Sequence, residues 1–295
     1  MAIHATAEIN SQPEIWAEAI AIYPQVAGLL PKKGERVAFV GCGTSWFMSM
    51  ISAARRESLG QGESDAFTAA EFPYGRNYDR IVAITRSGTT TEVVHFLEKI
   101  KGHTPTVVIT AVPDSPVTEH ADEVILIPFA DEESVLQTRF ATAVLALIRT
   151  HLGENLDGAI DQCRQALTMP LDPELVAAEQ ISFLGQGWTV GMAQEAALKT
   201  RESSQFWAEA YPAMDYRHGP ISIAQKGRVV WAFGEVPEGL EEDVERTGAK
   251  FVSSDWDPMA HLVVAQRVAV AIADRKGVDA DNPRHLARSI ILAGK

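Results

Sequence analysis

The stretch VAFVGCGTSWFMS, Val37–Ser49, is the one from which the architecture follows. An apolar run, Val37–Val40, meets Gly41-Cys42-Gly43, then Thr44-Ser45, then a segment with helical potential. This predicts a buried strand, a tight turn and a helix from Ser45 whose start carries two hydroxyls. Such a helix start offers unpaired backbone N–H groups and the positive end of a helix dipole, which suits a phosphate. A related pattern follows at Ile81–Glu92, IVAITRSGTTTE, where Thr85, Ser87, Thr89 and Thr90 surround Gly88 between a strand and a helix. Either turn alone reads as an ordinary strand–helix connection with capping hydroxyls. Two of them close together in the chain suggest one anion held from two sides. Trp46 stands where a dinucleotide fingerprint needs its third glycine, and no Gly-Lys-Ser/Thr occurs, so the two common nucleotide loops are excluded.

Further out, strands and helices alternate from Arg36 to about His151. The strands are Val37–Val40, Ile81–Thr85, Thr106–Thr110 and Val124–Pro128, and the helices start near Ser45, Thr90 and Val135. Continuous apolar strands between helices predict an α/β fold with a mainly parallel sheet covered on both faces. Before it, Met1–Leu30 carries Glu8-Ile9, Gln12-Pro13 and a helical pattern that Pro24 is expected to interrupt. After it, 154–178 is a charged helical stretch broken by Pro170 and Pro173, read as a connector. The strand–turn–helix then recurs: ISFLGQG (Ile181–Gly187) echoes VAFVGCG, so two copies of one module are expected. The second copy has Trp188-Thr189 in place of the Thr-Ser pair and reads as structural. It continues with strands Arg228–Phe233 and Lys250–Val252 and a helix from about Met259 to Arg275; the short span from Gly234 to Met259 puts the sheet edge in doubt.

The 295 residues suffice for one large domain or two of typical size, and 46% hydrophobic with 22% charged residues is a globular composition. A net charge of -13 argues against nucleic-acid or anionic-membrane partners. A phosphorylated ligand would then depend on local amides, hydroxyls and one or two arginines. The two cysteines, Cys42 in the first turn and Cys163 in a helix, suggest neither a disulfide framework nor zinc. No signal-peptide pattern or membrane-length apolar run is read, so a cytoplasmic protein is expected.

On the helix after Gly187, Glu195, Lys199 and Glu202 lie at i, i+4 and i+7, on one face. Spacing alone describes a solvated ion-paired face. His218, in Tyr216-Arg217-His218-Gly219-Pro220, falls in a turn-rich segment, where a lone histidine is ordinarily structural.

GCGTS with TRSGTT, EAALKTRES, AEAYPAMDYRHGP and the tail DNPRHLARS together resemble the two-domain sugar isomerase (SIS) family. The resemblance is to the isomerase half of glucosamine-6-phosphate synthase and to its stand-alone relatives, which include aminosugar-phosphate deaminases and fructosamine-6-phosphate deglycases. It implies two tandem SIS modules, at 31–153 and 179–280, behind an N-terminal segment at 1–30 and linked by 154–178. A tail at 281–295 folds over the active site. It makes Glu202 the base that moves a proton between C1 and C2, with Lys199 beside it. His218 becomes the ring-opening residue, contributed by the partner subunit of a homodimer. The phosphate and sugar contacts implied are Cys42, Thr44, Ser45, Thr85, Arg86, Ser87, Thr90, Ser134, Val135, Gln137 and Ala287.

Three departures are visible. The sequence enters the isomerase-like region directly from Met1, so amide-dependent synthesis is not expected, and release of ammonia from an aminosugar phosphate is. Arg288 takes the place of the family's tail lysine and is a poor imine former, which leaves it positioning or electrostatic work. Arg86 stands where the synthase has glutamine and is expected to add a charge-assisted bond to phosphate. Neither metal nor organic cofactor is expected. The alternatives are a deglycase, a plain aldose–ketose isomerase and a non-catalytic sugar-phosphate sensor. Against the sensor stand Glu202, His218 and the lack of a DNA-binding segment.

Overall fold

The computed structural model describes residues 2–292. In chain order the elements are α1 (His4–Asn10), α2 (Gln12–Val26), β1 (Val37–Gly41), α3 (Thr44–Ser58), β2 (Ser64–Thr68), β3 (Arg80–Ile84) and α4 (Thr91–Ile100). There follow β4 (Thr106–Thr110), α5 (Pro116–His120), β5 (Glu123–Leu126), α6 (Arg139–His151), α7 (Asp157–Thr168) and α8 (Pro173–Ala177). The last group is β6 (Gln180–Gly185), α9 (Thr189–Ser204), β7 (Ala208–Pro212), β8 (Arg228–Phe233), α10 (Leu240–Glu245), β9 (Lys250–Val252) and α11 (Pro258–Lys276). The chain divides into two compact units. One comprises 14–132, 139–156 and the tail from Ala287; the other comprises the segment up to Pro13, 133–138 and 157–286.

The tail-containing unit holds a five-stranded sheet of order β2-β1-β3-β4-β5, parallel throughout. β1 and β4 are buried along their whole length, as strands covered on both faces must be. Ala38, Val40, Ala83 and Val108 point into a cluster closed by Phe96 and Leu97 of α4. α6 is buried almost throughout. The other unit repeats the order with one strand fewer, β7-β6-β8-β9, again parallel. The doubtful sheet edge is thus a real difference: after the three residues of β9 the chain goes to α11 without a counterpart of β5.

Two edge strands, β2 and β7, went unread in the sequence. Both are only partly buried, and β7 ends in Pro212, which an edge strand tolerates. α2 runs through Pro24 to Val26 without interruption, because the proline sits in the last turn, where one missing N–H costs a single helical bond. The helix expected from Val135 starts at Arg139. The N–H groups of Glu133 and Ser134 go instead to Glu8, and that of Val135 to the Asp281 carbonyl. The stretch read as a connector forms α7 and α8, and α7 packs on α11.

Candidate active site

β1 and β3 are neighbours, and their helices lead to β2 on one side and β4 on the other. The turns after these two strands therefore lie at a switch point on the carboxyl edge of the sheet, the usual ligand position in open parallel sheets. In the first turn a Cβ on Gly41 would stand 2.5 Å from the backbone carbon of Ser45, so only glycine lets β1 and α3 approach this closely. Gly43 caps α3 with φ +56°, and no side chain caps the helix. Thr44 and Ser45 are buried, and the Ser45 hydroxyl makes no hydrogen bond among the described residues. Burial raises the Cys42 thiol pKa; the Ala69 backbone opposes this and the Glu92 charge adds to it. Cys42 is thus a neutral wall group at ordinary pH.

In the second turn Gly88 has φ +65°, and a Cβ there would fall 2.0 Å from the Ser115 hydroxyl. Thr85, Arg86 and Ser87 are buried, and Ser87 accepts bonds from the Thr89 N–H and hydroxyl. The tail of the same unit lies along this turn. The Thr89 hydroxyl also lies 2.9 Å from the Ser289 hydroxyl, and the Thr90 and Ser289 hydroxyls are 3.3 Å apart. The Thr91 N–H at the head of α4 donates to the Ile290 carbonyl at 3.0 Å.

Arg86, expected to contact phosphate, is also engaged within its own unit. Its guanidinium is 2% exposed, pairs with Glu132 at 3.4 Å and donates to the Arg288 carbonyl at 3.1 Å. It ties the turn to the tail. Arg288 in turn contacts Asp131 and the Glu132 carbonyl, so its charge is matched locally. Ala287 is exposed.

In the other unit, the face of α9 that spacing describes as solvated is buried. Glu195 and Lys199 are both enclosed, whereas the Glu202 side chain keeps 21% of its exposure. The Lys199 ammonium touches Glu202 directly and lies 3.7 Å from Glu195. A buried ammonium is tolerable here because it has a carboxylate on each side. Burial lowers the pKa of neighbouring Arg201, against the pull of Glu202 and Glu195. The result is a reachable carboxylate oriented by a fixed cation. His218 is exposed on a 3-10 turn, Asp215–His218, anchored by buried Tyr216 and by the Arg217–Asp243 pair.

The segment 133–138 is held by two acids that sequence reasoning did not assign. Glu8 is buried and receives the Ser134 hydroxyl in close contact as well as the two N–H groups named above. Asp281 accepts the N–H groups of Ile3, His4 and Ala5 while its carbonyl holds Val135. The Gln137 side-chain amide oxygen, Oε1, is buried without a partner among the described residues. No group of three or more His, Cys, Asp or Glu among the described residues could hold a metal ion, and no helix there is long and apolar enough to cross a membrane.

The comparisons with known proteins fit this geometry. Residues 29–152, which contain both hydroxyl turns, match the family described as the SIS domain. The chain is 27% identical, over 97% of its own length and 58% of the relative's, to the glutamine–fructose-6-phosphate aminotransferase (isomerizing) of Xanthomonas campestris. It is 28% identical, over 88% of its length and 51% of the relative's, to the protein of the same name from Sulfurisphaera tokodaii. It thus spans little more than half of these curated relatives. Among solved structures, a glucosamine-6-phosphate deaminase from Thermotoga maritima matches with TM-score 0.77 and 23% identity, over 98% of this chain and all of that one. The tagatose-6-phosphate ketose/aldose isomerase of Escherichia coli matches with TM-score 0.80 and 19% identity, over 99% and 97%. Residues 29–152 are thus similar to the SIS domain, and the whole chain shares the fold of the deaminase and isomerase structures.

Proposed function

We propose that this protein is a phosphosugar isomerase that releases ammonia when its substrate is a hexosamine 6-phosphate. The observation that carries this reading is the buried Glu195–Lys199–Glu202 cluster on α9, with Glu202 alone open to solvent. Lys199 fixes the carboxylate, and Glu202 takes the proton from C2 of the open-chain aldose and returns it to C1. With nitrogen at C2 the product is a ketimine, which adds water and loses ammonia to leave the ketose. With oxygen at C2 the same transfer is plain isomerisation.

The phosphate is assigned to the hydroxyls of Thr44, Ser45, Thr85, Ser87 and Thr90 and to the head of α3. Ser134, Val135 and Gln137 are assigned to the sugar, although the Ser134 hydroxyl is turned to Glu8. Ring opening is assigned to His218, whose imidazole can both give and take a proton. We place His218 in the partner subunit's site, which makes the enzyme a homodimer. Arg288 positions the tail through Asp131 rather than forming an imine. That the second sheet is also an SIS module is supported by its repeated strand order. Two free cysteines suit the reducing cytoplasm.

The test is a panel of hexosamine, ketose and fructosamine phosphates followed for turnover and for ammonia. Ammonia with ketose phosphate from a hexosamine phosphate supports the proposal. Interconversion without ammonia reduces it to plain isomerisation. Turnover of fructosamine phosphates alone replaces it with a deglycase, and binding without turnover with a sensor.

A further inference from the structure

Residues 133–138 lie outside the helices and strands, so their backbone takes its shape from partners elsewhere in the chain. Glu8, on α1, is 3% exposed. Its Oε1 accepts the N–H groups of Glu133 at 2.6 Å and Ser134 at 3.2 Å. The Ser134 hydroxyl lies against Glu8 Oε2 and 2.7 Å from the Leu136 carbonyl oxygen. The Val135 N–H goes to the Asp281 carbonyl at 2.9 Å. Asp281 closes the ring, since its carboxylate accepts the N–H groups of Ile3, His4 and Ala5 at the head of α1. Burying a carboxylate costs solvation, which Glu8 offsets with three donors from two successive residues. Three successive amides are thereby held, and with them the direction in which each side chain leaves the backbone. Ser134, Leu136 and Thr138 are buried, whereas Glu133, Val135 and Gln137 keep part of their exposure. The segment, α1 and Glu202 all belong to one compact unit.

We propose that Glu8 is a positioning residue for the sugar: by fixing the amides of Glu133 and Ser134 it turns Val135 and Gln137 towards the substrate. This rests on the assignment of those two residues to the sugar. It adds a residue remote in sequence that sets sugar selectivity without touching substrate and leaves phosphate affinity to the hydroxyl turns. Glutamine can do the same work. Its side-chain oxygen accepts the two N–H groups, and its NH2 donates to the Ser134 oxygen, whose own proton then goes to the Leu136 carbonyl.

The test compares two probes by calorimetry on the full-length protein. One is sorbitol 6-phosphate, an open-chain hexitol phosphate with no carbonyl to isomerise; the other is inorganic phosphate. Glu8→Ala should weaken sorbitol 6-phosphate binding about tenfold, the worth of one or two hydrogen bonds, and leave phosphate binding unchanged. Glu8→Gln should restore the native ratio of the two affinities. Gln12→Ala, which removes a 2.8 Å bond from the α1–α2 junction to Gln266 of α11, should lower the unfolding midpoint and keep that ratio. If Glu8→Ala does not fold, Glu8→Asp, one methylene shorter, should show the same selective loss. An unchanged ratio in the Glu8 variant that folds overturns the positioning role and spares the functional reading. An equal fall of the ratio in Gln12→Ala also overturns it, since loosening of the N-terminal segment would then suffice. A native protein that binds the hexitol phosphate no better than phosphate overturns the sugar assignment itself, and the proposal with it.

Discussion

Two turns of the same design, Gly41–Ser45 after β1 and Gly185–Thr189 after β6, have been put to different uses. In both, the glycine ending the strand is held against the following helix, with a Cβ at Gly185 falling 2.1 Å from the Thr189 carbonyl oxygen. In the second turn the hydroxyl is consumed internally. Thr189 accepts from the Gln186 N–H and donates to the Phe233 carbonyl at 2.8 Å, which locks β6, α9 and β8 together. In the first turn the Ser45 hydroxyl has no partner among the described residues, although the residue is almost entirely buried. A hydroxyl without a protein partner at a helix head fits a ligand anion; a satisfied one fits a structural joint. In our reading the second strand–turn–helix keeps only the joint, and its chemistry lies down α9 at Glu202.

Four measurements test that division of labour. Glu202→Gln should reduce solvent-hydrogen exchange at the reacting sugar carbon by about 10²–10⁴-fold while leaving phosphate-sugar binding nearly intact. Persistent exchange would return the base to another residue and empty the second module of chemistry.

The next effect belongs to the second module's interior. His261 has a folded pKa of about 4 against the ordinary histidine value of 6.5, so the unfolded chain binds the proton more readily. Its contribution is complete above about pH 6.5 and is lost as pH falls towards 4, to a total of about 3 kcal/mol. Urea unfolding of the native protein and of His261→Phe across that window should show the variant to be the less pH-sensitive of the two. Parallel curves would count against a neutral buried imidazole.

Ser45→Ala and Ser87→Ala should each weaken binding of phosphorylated sugars by about 1.5–3 kcal/mol, read by calorimetry, with little change in unfolding midpoint. If neither changes affinity, the phosphate assignment fails. Thr189→Val should do the reverse, lowering stability by about 1 kcal/mol without changing ligand affinity. A ligand effect there would erase the contrast between the turns.

Much of this was legible locally. The buried strands β1, β3, β4, β6 and β8 announce themselves as apolar runs, and the helices behind the glycine turns follow from capping and periodicity. The edge strands β2 and β7 did not, because a half-buried strand leaves no continuous apolar run. The helix expected at Val135 was displaced by partners far along the chain, Glu8 and Asp281, whose bonds to 133–135 no local pattern records.

Local sequence was enough for the α/β alternation, the doubled strand–turn–helix and the placement of Glu195, Lys199 and Glu202 on one helical face. These depend on residues within a few turns of one another, where backbone sterics and periodicity act directly. That this face is buried rather than solvated emerged only from the folded chain, because burial depends on α11 packing against α9 some sixty residues later. The same holds for the pairing of Arg86 with Glu132 and the tail, and for a second sheet that stops at four strands. An arginine beside a phosphate-like turn is drawn to whichever anion the fold brings nearest. Here that anion is a carboxylate 46 residues away, reached only once β3 and the segment beyond β5 are in place.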